Sequence, residues 1–175
     1  KYYPNSKADM FAMFMETGLI KTNGFTAMIN MHSWMFLSSF RDLRLSILKT
    51  KEIITMIHLG AHAFEMIGGE VVQTTSFVFR NCHLDYLATY FRLVDSLSKE
   101  KDFLQRSKEG AVFYRKQSCF YLINGSPIAY WVPDCVMSTY KNPQMGNFIV
   151  PRHGLATSDN DRFLRRWYEV DYAKE

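Results

Sequence analysis

The side chains best suited to chemistry in this chain are five histidines (His32, His58, His62, His83 and His153), three cysteines (Cys82, Cys119 and Cys135) and the run Arg165-Arg166-Trp167-Tyr168. Histidine moves protons or ligates metals near neutral pH. A metal site needs three or four donors, and only His58 and His62 are close in sequence. Those two flank a strand end and a loop rather than one helix face, so ordinary core or surface histidines, with no metal, are the simpler reading. The cysteines are odd in number and far apart. They fit neither a disulfide framework nor a CxxC knuckle, and point to a reducing compartment, the cytoplasm. The paired arginines could hold a phosphate while the adjacent rings stack a base; an edge strand of alternating charge explains them equally well. GxSxG, HExxH, Walker and GxGxxG motifs are absent.

The stretch Leu59-Gly60-Ala61-His62-Ala63-Phe64 is more informative. It follows an apolar strand, and in open α/β sheets ligands sit beyond the carboxyl ends of strands. Phe64 is then an aromatic ring on a loop beside the expected site. From composition alone, a ring tucked against Met66 and Ile67 is the favoured alternative.

The elements that would position this loop follow from patterning. Ser6 is a plausible N-cap with Asp9 as a capping-box acid. Met10, Phe11, Phe14, Met15 and Leu19 then recur at helical spacing until Asn23-Gly24. Phe25 to Asn30 and Ile53 to Leu59 are short apolar strands. Trp34 to Lys49 reads as a helix capped by Ser33, with Arg41, Asp42 and Arg44 facing away from the apolar side. Glu70 to Phe79 is a strand rich in β-branched residues, and Tyr86 to Val94 is expected to pair beside it. Helix, strand, helix, strand, strand is half of a doubly wound α/β sheet, with helices on both faces and an antiparallel edge made by the late strands.

Composition bounds the rest. The chain has 175 residues, 47% hydrophobic and 22% charged, which excludes wholesale disorder. No apolar run approaches the length of a membrane span, and no secretory leader opens the sequence. The net charge of +4 permits nucleic-acid contact without demanding it. Residues 1–97 carry nine basic and eight acidic groups, residues 98–175 twelve and nine, so the basic excess lies in the second part. Residues 98–118 read as a charged connector. Beyond it come a short strand (Phe120 to Ile123), a turn at Gly125-Ser126-Pro127, the aromatic step Tyr130-Trp131, a helix begun by Pro133, a polar loop from Arg152 to Asp161, and a strand from Phe163 to Val170. Lys1 without an initiator Met, and an end at Glu175 just past a strand-like run, suggest a piece of a larger protein.

The runs DMFAMFME, NGFTAMINMHSWMFLSSFRDLR, MIHLGAHAFEMIGGEVVQTTSFVFRN, GSPIAYWV and RHGLATSDNDRFLRRWYEV resemble adenine-specific DNA methyltransferases, of the PglX type found in BREX phage-defence systems and of related restriction-modification enzymes. The resemblance implies a parent that transfers a methyl group from S-adenosylmethionine to the N6 amine of a flipped adenine in double-stranded DNA, with further defence-system subunits as partners and no membrane. The implied fold is α/β: the C-terminal half of a Rossmann-like methyltransferase sheet with an antiparallel edge, followed by a smaller α+β segment. The implied division is 1–97 for the second half of the catalytic domain, 98–118 for the connector and 119–175 for the start of target recognition.

The family's glycine-rich cofactor loop and its Asn-Pro-Pro-aromatic tetrad are absent; Asn142-Pro143 is followed by Gln144. No catalytic residue is therefore expected in this piece, which would be inactive alone. Carried over by motif, Phe64 would stack on the target base, and Phe14 and Asp9 would contact the cofactor. Ser33 and Trp34 match a corner near the pocket with a structural role. Arg152, Thr157, Asn160 and Arg162 match a polar stretch that would reach DNA, where a solvated loop is an equally good reading. Lys21-Thr22-Asn23-Gly24 departs from the Lys-Pro-Gly-Gly of many relatives, which bears on the registration of Phe14. A second reading of the whole is a non-catalytic DNA-binding or scaffold module of a defence system.

Overall fold

The computed structural model describes residues 3–21, 24–64, 72–143, 145–150 and 159–169. The chain divides into two compact units, 1–142 and 143–175.

The first unit is built on a five-stranded mixed sheet. Its strands are β1 (Phe25–Met31), β2 (Glu52–Gly60), β3 (Thr74–Arg80), β4 (Leu87–Arg92) and β5 (Phe113–Lys116), in the spatial order β1-β3-β2-β4-β5. β3 runs antiparallel to both β1 and β2, β4 runs parallel to β2, and β5 closes the row antiparallel to β4. Antiparallel pairing of the late strands, expected at the edge, thus lies partly inside the sheet. The segment around β4 pairs with β2 rather than beside β3, because β3 already has β1 and β2 on its two sides.

Helix α1 (Met10–Lys21) precedes β1, and α2 (Arg41–Thr50) lies between β1 and β2. Asp9, not Ser6, stands at the cap of α1: its Oδ1 accepts from the Phe11 N–H at 3.4 Å, while the buried Ser6 hydroxyl donates to Glu16. Gly18 lets α1 press onto the sheet, since a Cβ there would lie 2.5 Å from Met28 Cε and 3.3 Å from Thr26 Cγ2. The ring of Phe11 lies 5.2 Å from that of Phe40, the residue before α2. Both helices therefore share one face of the sheet instead of covering two. The expected helix from Trp34 begins as two 3-10 turns, His32–Met35 and Ser38–Phe40, and becomes α-helical only at Arg41.

That shared face holds the core. Trp34 is fully buried, edge-on to Phe77 at 5.6 Å and Phe79 at 5.9 Å, and Leu43, Ile47 and Leu48 of α2 join it. Burial of one such side chain contributes about 1.5–3 kcal/mol. Gln117, fully buried, ties the layers: its amide donates to the Leu48 and Lys51 carbonyls at 2.8 Å, and its carbonyl accepts from Ile53 N–H at 3.1 Å. The carboxylate of Glu52, also buried, accepts from the backbone N–H groups of Leu84 (2.6 Å) and Tyr86 (2.9 Å), fixing the loop into β4.

Residues 98–118 contain α3 (Lys99–Glu109) and β5, and α3 ends at Gly110 in the left-handed conformation, φ 68°. The strand expected over Phe120 to Ile123 is a 3-10 turn, Gln117–Leu122. Helix α4 (Asp134–Thr139) follows Pro133 as read from the sequence. In the second unit, α5 (Asn160–Phe163) stands at the end of the expected polar loop, and a 3-10 turn, Trp167–Glu169, stands where a strand was expected. Asp159 caps α5 by accepting from Arg162 N–H at 3.1 Å, which favours a helical turn over open loop at that point. Among the described residues no helix is long and apolar enough to cross a membrane.

Candidate functional site

Met31 of β1 and Gly60 of β2 both register with Thr74 of β3. β1 and β2 therefore point the same way and leave the sheet at one row, about 10 Å apart by two strand spacings. β4 is parallel to β2 with Arg92 opposite His58, so three strands end on this edge. Such a carboxyl edge is where α/β sheets bind ligands.

Phe64 is here, at the end of the loop leaving β2. Gly60 turns the chain at φ 71°, and a Cβ at that position would lie 3.0 Å from the Val94 Cα. His62 follows at φ 56°. After these two turns Phe64 is 45% exposed.

α1 packs against β1, with Gly18 beside Thr26 and Met28. Phe14 and Met10, four residues apart on one helical face, are both well exposed, and Asp9 is exposed beside them. Trp34 is structural: it is fully buried, and its indole N–H has no hydrogen-bond partner among the described residues. Asn160 and Arg162 are exposed in the second unit. Arg152 and Thr157 lie outside the described residues, as do His153, Met66 and Ile67. In the Arg165–Tyr168 run, the Arg166 guanidinium lies over the Tyr168 ring at 5.9 Å and donates to its hydroxyl at 2.7 Å.

Patterning did not reveal a cluster at the ends of β1 and β2. His32 Nδ1 and His58 Nε2 lie 2.8 Å apart, and His58 Nδ1 is 3.2 Å from the Tyr130 hydroxyl. Phe36 and Trp131 pack around them, with ring centres 5.7 Å apart and Trp131 6.3 Å from His58. Tyr130 stacks on Tyr90 at 4.9 Å. Burial is the main cause that pulls the His58 pKa down to about 4; the neighbouring His32, Arg92 and Lys99 add to it and Asp95 opposes it. Burial lowers His32 as well. Both imidazoles are neutral at neutral pH. Among the described residues no three His, Cys, Asp or Glu side chains gather as a metal site.

Two arginines hold this cluster in place. Arg44 is buried, not solvent-facing as its charge suggested. It donates to the carbonyls of Trp34 (2.9 Å), Leu37 (2.6 Å) and Gly125 (2.8 and 3.2 Å). Arg115 donates to the carbonyls of Tyr130 (3.3 Å) and Val132 (2.6 Å) and pairs with Asp134. Together with the Ile128 N–H bond to Met35 O at 2.9 Å, they press residues 125–132 against the turn after β1. The signal for Arg44 was available: Phe40, Leu43, Arg44, Ile47 and Leu48 follow the i, i+3, i+4 spacing of a buried stripe. On the β4 side, the Lys99 ammonium donates to the carbonyls of Leu93 (2.8 Å) and Val94 (3.3 Å), and Arg106 to that of Arg92.

Residues 1–64 match the family model described as Eco57I restriction-modification methylase. The adenine-specific methyltransferase PglX of Lacticaseibacillus casei (strain Zhang) is 46% identical over 185 aligned positions, covering 99% of this chain and 15% of the relative. The adenine-specific methyltransferase BrxX of Escherichia coli O9:H4 (strain HS) is 46% identical over 175 positions, covering 97% of this chain and 14% of the relative. The chain thus spans about a seventh of the length of these relatives. A crystal structure of a type I restriction-modification system methyltransferase subunit from Streptococcus thermophilus overlays 62% of this chain and 26% of that one, with a TM-score of 0.47 and 14% identity. Along nearly its whole length, the chain is homologous to one segment of PglX-type adenine-specific methyltransferases.

Proposed function

We propose that this chain forms the downstream wall of the pocket in an adenine-specific DNA methyltransferase, which methylates the N6 amine of an adenine rotated out of double-stranded DNA. Residues 1–97 would be the second half of a Rossmann-like catalytic domain. Residues 119–175 would begin the target-recognition region, with Arg152, Thr157, Asn160 and Arg162 toward DNA. The parent would work in the cytoplasm, in phage defence of the BREX type or in restriction-modification, beside other subunits of that system.

The observation that carries the reading is the half-exposed Phe64 ring on the loop at the sheet's carboxyl edge. Extruding a base costs a few kcal/mol of stacking and pairing. A ring stacked on the extruded base returns roughly 1–3 kcal/mol. Phe64, which follows the positive-φ turns at Gly60 and His62, is exposed enough to do this. S-adenosylmethionine, when bound, supplies the methyl group as a sulfonium electrophile. The exposed apolar face of Met10 and Phe14, with the Asp9 carboxylate beside it, suits an adenine ring and a polar group of that cofactor as one side of its site.

Methylome sequencing of cells with and without the parent gene tests the reading. The expected result is loss of N6-methyladenine at one sequence motif on deletion, restored by the parent gene. An unchanged methylome overturns the proposal.

A further inference from the structure

The hydrogen bonds that join His32, His58 and Tyr130 have a direction. Tyr130 is fully buried, and among the described residues its hydroxyl meets only His58 Nδ1. A hydroxyl has one hydrogen and two lone pairs, and a buried hydrogen without an acceptor is far costlier than an unused lone pair. The hydroxyl therefore donates to His58 Nδ1. Neutral His58 then carries its one hydrogen on Nε2, which donates across 2.8 Å to His32 Nδ1. Neutral His32 in turn carries its hydrogen on Nε2. His32 is half-buried, and no described group partners that nitrogen.

We propose that His32 donates this Nε2–H to a ring nitrogen of the extruded adenine, with Tyr130 and His58 as positioning residues that fix its tautomer. The inference rests on the function proposed above and assigns one more contact at that pocket. His32 leaves the sheet in the same row as the loop that carries Phe64. A phosphate would be met by a charged donor, whereas two imidazoles sharing one hydrogen admit no second proton without breaking the relay. The ring nitrogens of adenine are neutral acceptors and match a neutral donor.

The test uses the full-length parent and duplexes whose target adenine is replaced by its 1-deaza, 3-deaza or 7-deaza analogue. His32→Ala should slow methylation of adenine about tenfold, the contribution of one neutral hydrogen bond. One analogue should slow the wild type by a similar factor, and on that analogue His32→Ala should add nothing. If His32→Ala slows adenine and all three analogues equally, the inference is overturned while the proposed function stands. A wild-type parent that leaves adenine unmethylated overturns both. Tyr130→Phe reads the relay separately. It should slow the wild type but not the His32→Asn variant, whose amide donates without help; equal slowing in the two backgrounds overturns the relay.

Discussion

The guanidinium of Arg44 reaches across the chain to the carbonyl of Gly125, with Nη2 at 2.8 Å and Nε at 3.2 Å. The same fork holds Trp34 and Leu37, so one buried cation ties the turn after β1 to the segment bearing Tyr130. Arg44→Met keeps much of the volume but strips three carbonyls of their donor. It should destabilise the chain by about 3 kcal/mol or more, read from urea denaturation. Arg44→Lys should recover little, because an ammonium cannot reproduce the planar fork.

Stability should fall in mild acid. His58 has its pKa lowered from 6.5 to about 4 in the folded chain, chiefly by burial. Above the unfolded value neither state binds a proton there. Between the two values the unfolded state gains a proton that the folded state refuses, so stability drops as pH falls through that window. The loss from this residue should be about 3 kcal/mol. Thermal melting from pH 7 to pH 4 should show a slope that His58→Gln flattens.

Gly60→Ala should cost about 1–2 kcal/mol, because a side chain is strained at φ 71°. The new Cβ would also meet backbone, the Val94 Cα at 3.0 Å. Backbone yields less readily than a side chain, so the loop to Phe64 should be displaced. Comparison of chemical denaturation with methylation by the parent should show a rate loss beyond that of a surface variant of equal stability.

Phe64→Ala in the parent should lower the methylation rate roughly 10- to 100-fold, the value of one stacked base. Overall DNA affinity, measured at a single fixed salt concentration, should change little, because phosphate contacts dominate it. Parallel losses in rate and affinity would deny Phe64 its stacking role.

β1 and β2 were legible in the sequence because apolar runs bounded by glycine and polar turns leave few alternatives. Strand order was not. Nothing in the residues of β3 says that it will slide between β1 and β2, since that choice depends on pairings distant in sequence. Charge misled the reading of Arg44, whose position in the helical stripe outweighed its polarity once three carbonyls were there to receive it. The strand end that makes Phe64 a candidate was legible, since β2 does stop at Gly60. His32, His58 and Tyr130 were missed because they lie 26 and 72 residues apart along the chain and meet only when the sheet forms.

β1 also governs how this polypeptide will behave in the hands of anyone who prepares it. Among the described residues it has a strand on one side only, and it shows solvent the side chains of Phe25, Ile29 and Met31 in alternation. An open backbone rim with a greasy row beside it is adhesive. Preparations of the 175-residue chain by itself should clump as concentration rises, and Ile29→Lys should keep them dispersed in light-scattering measurements.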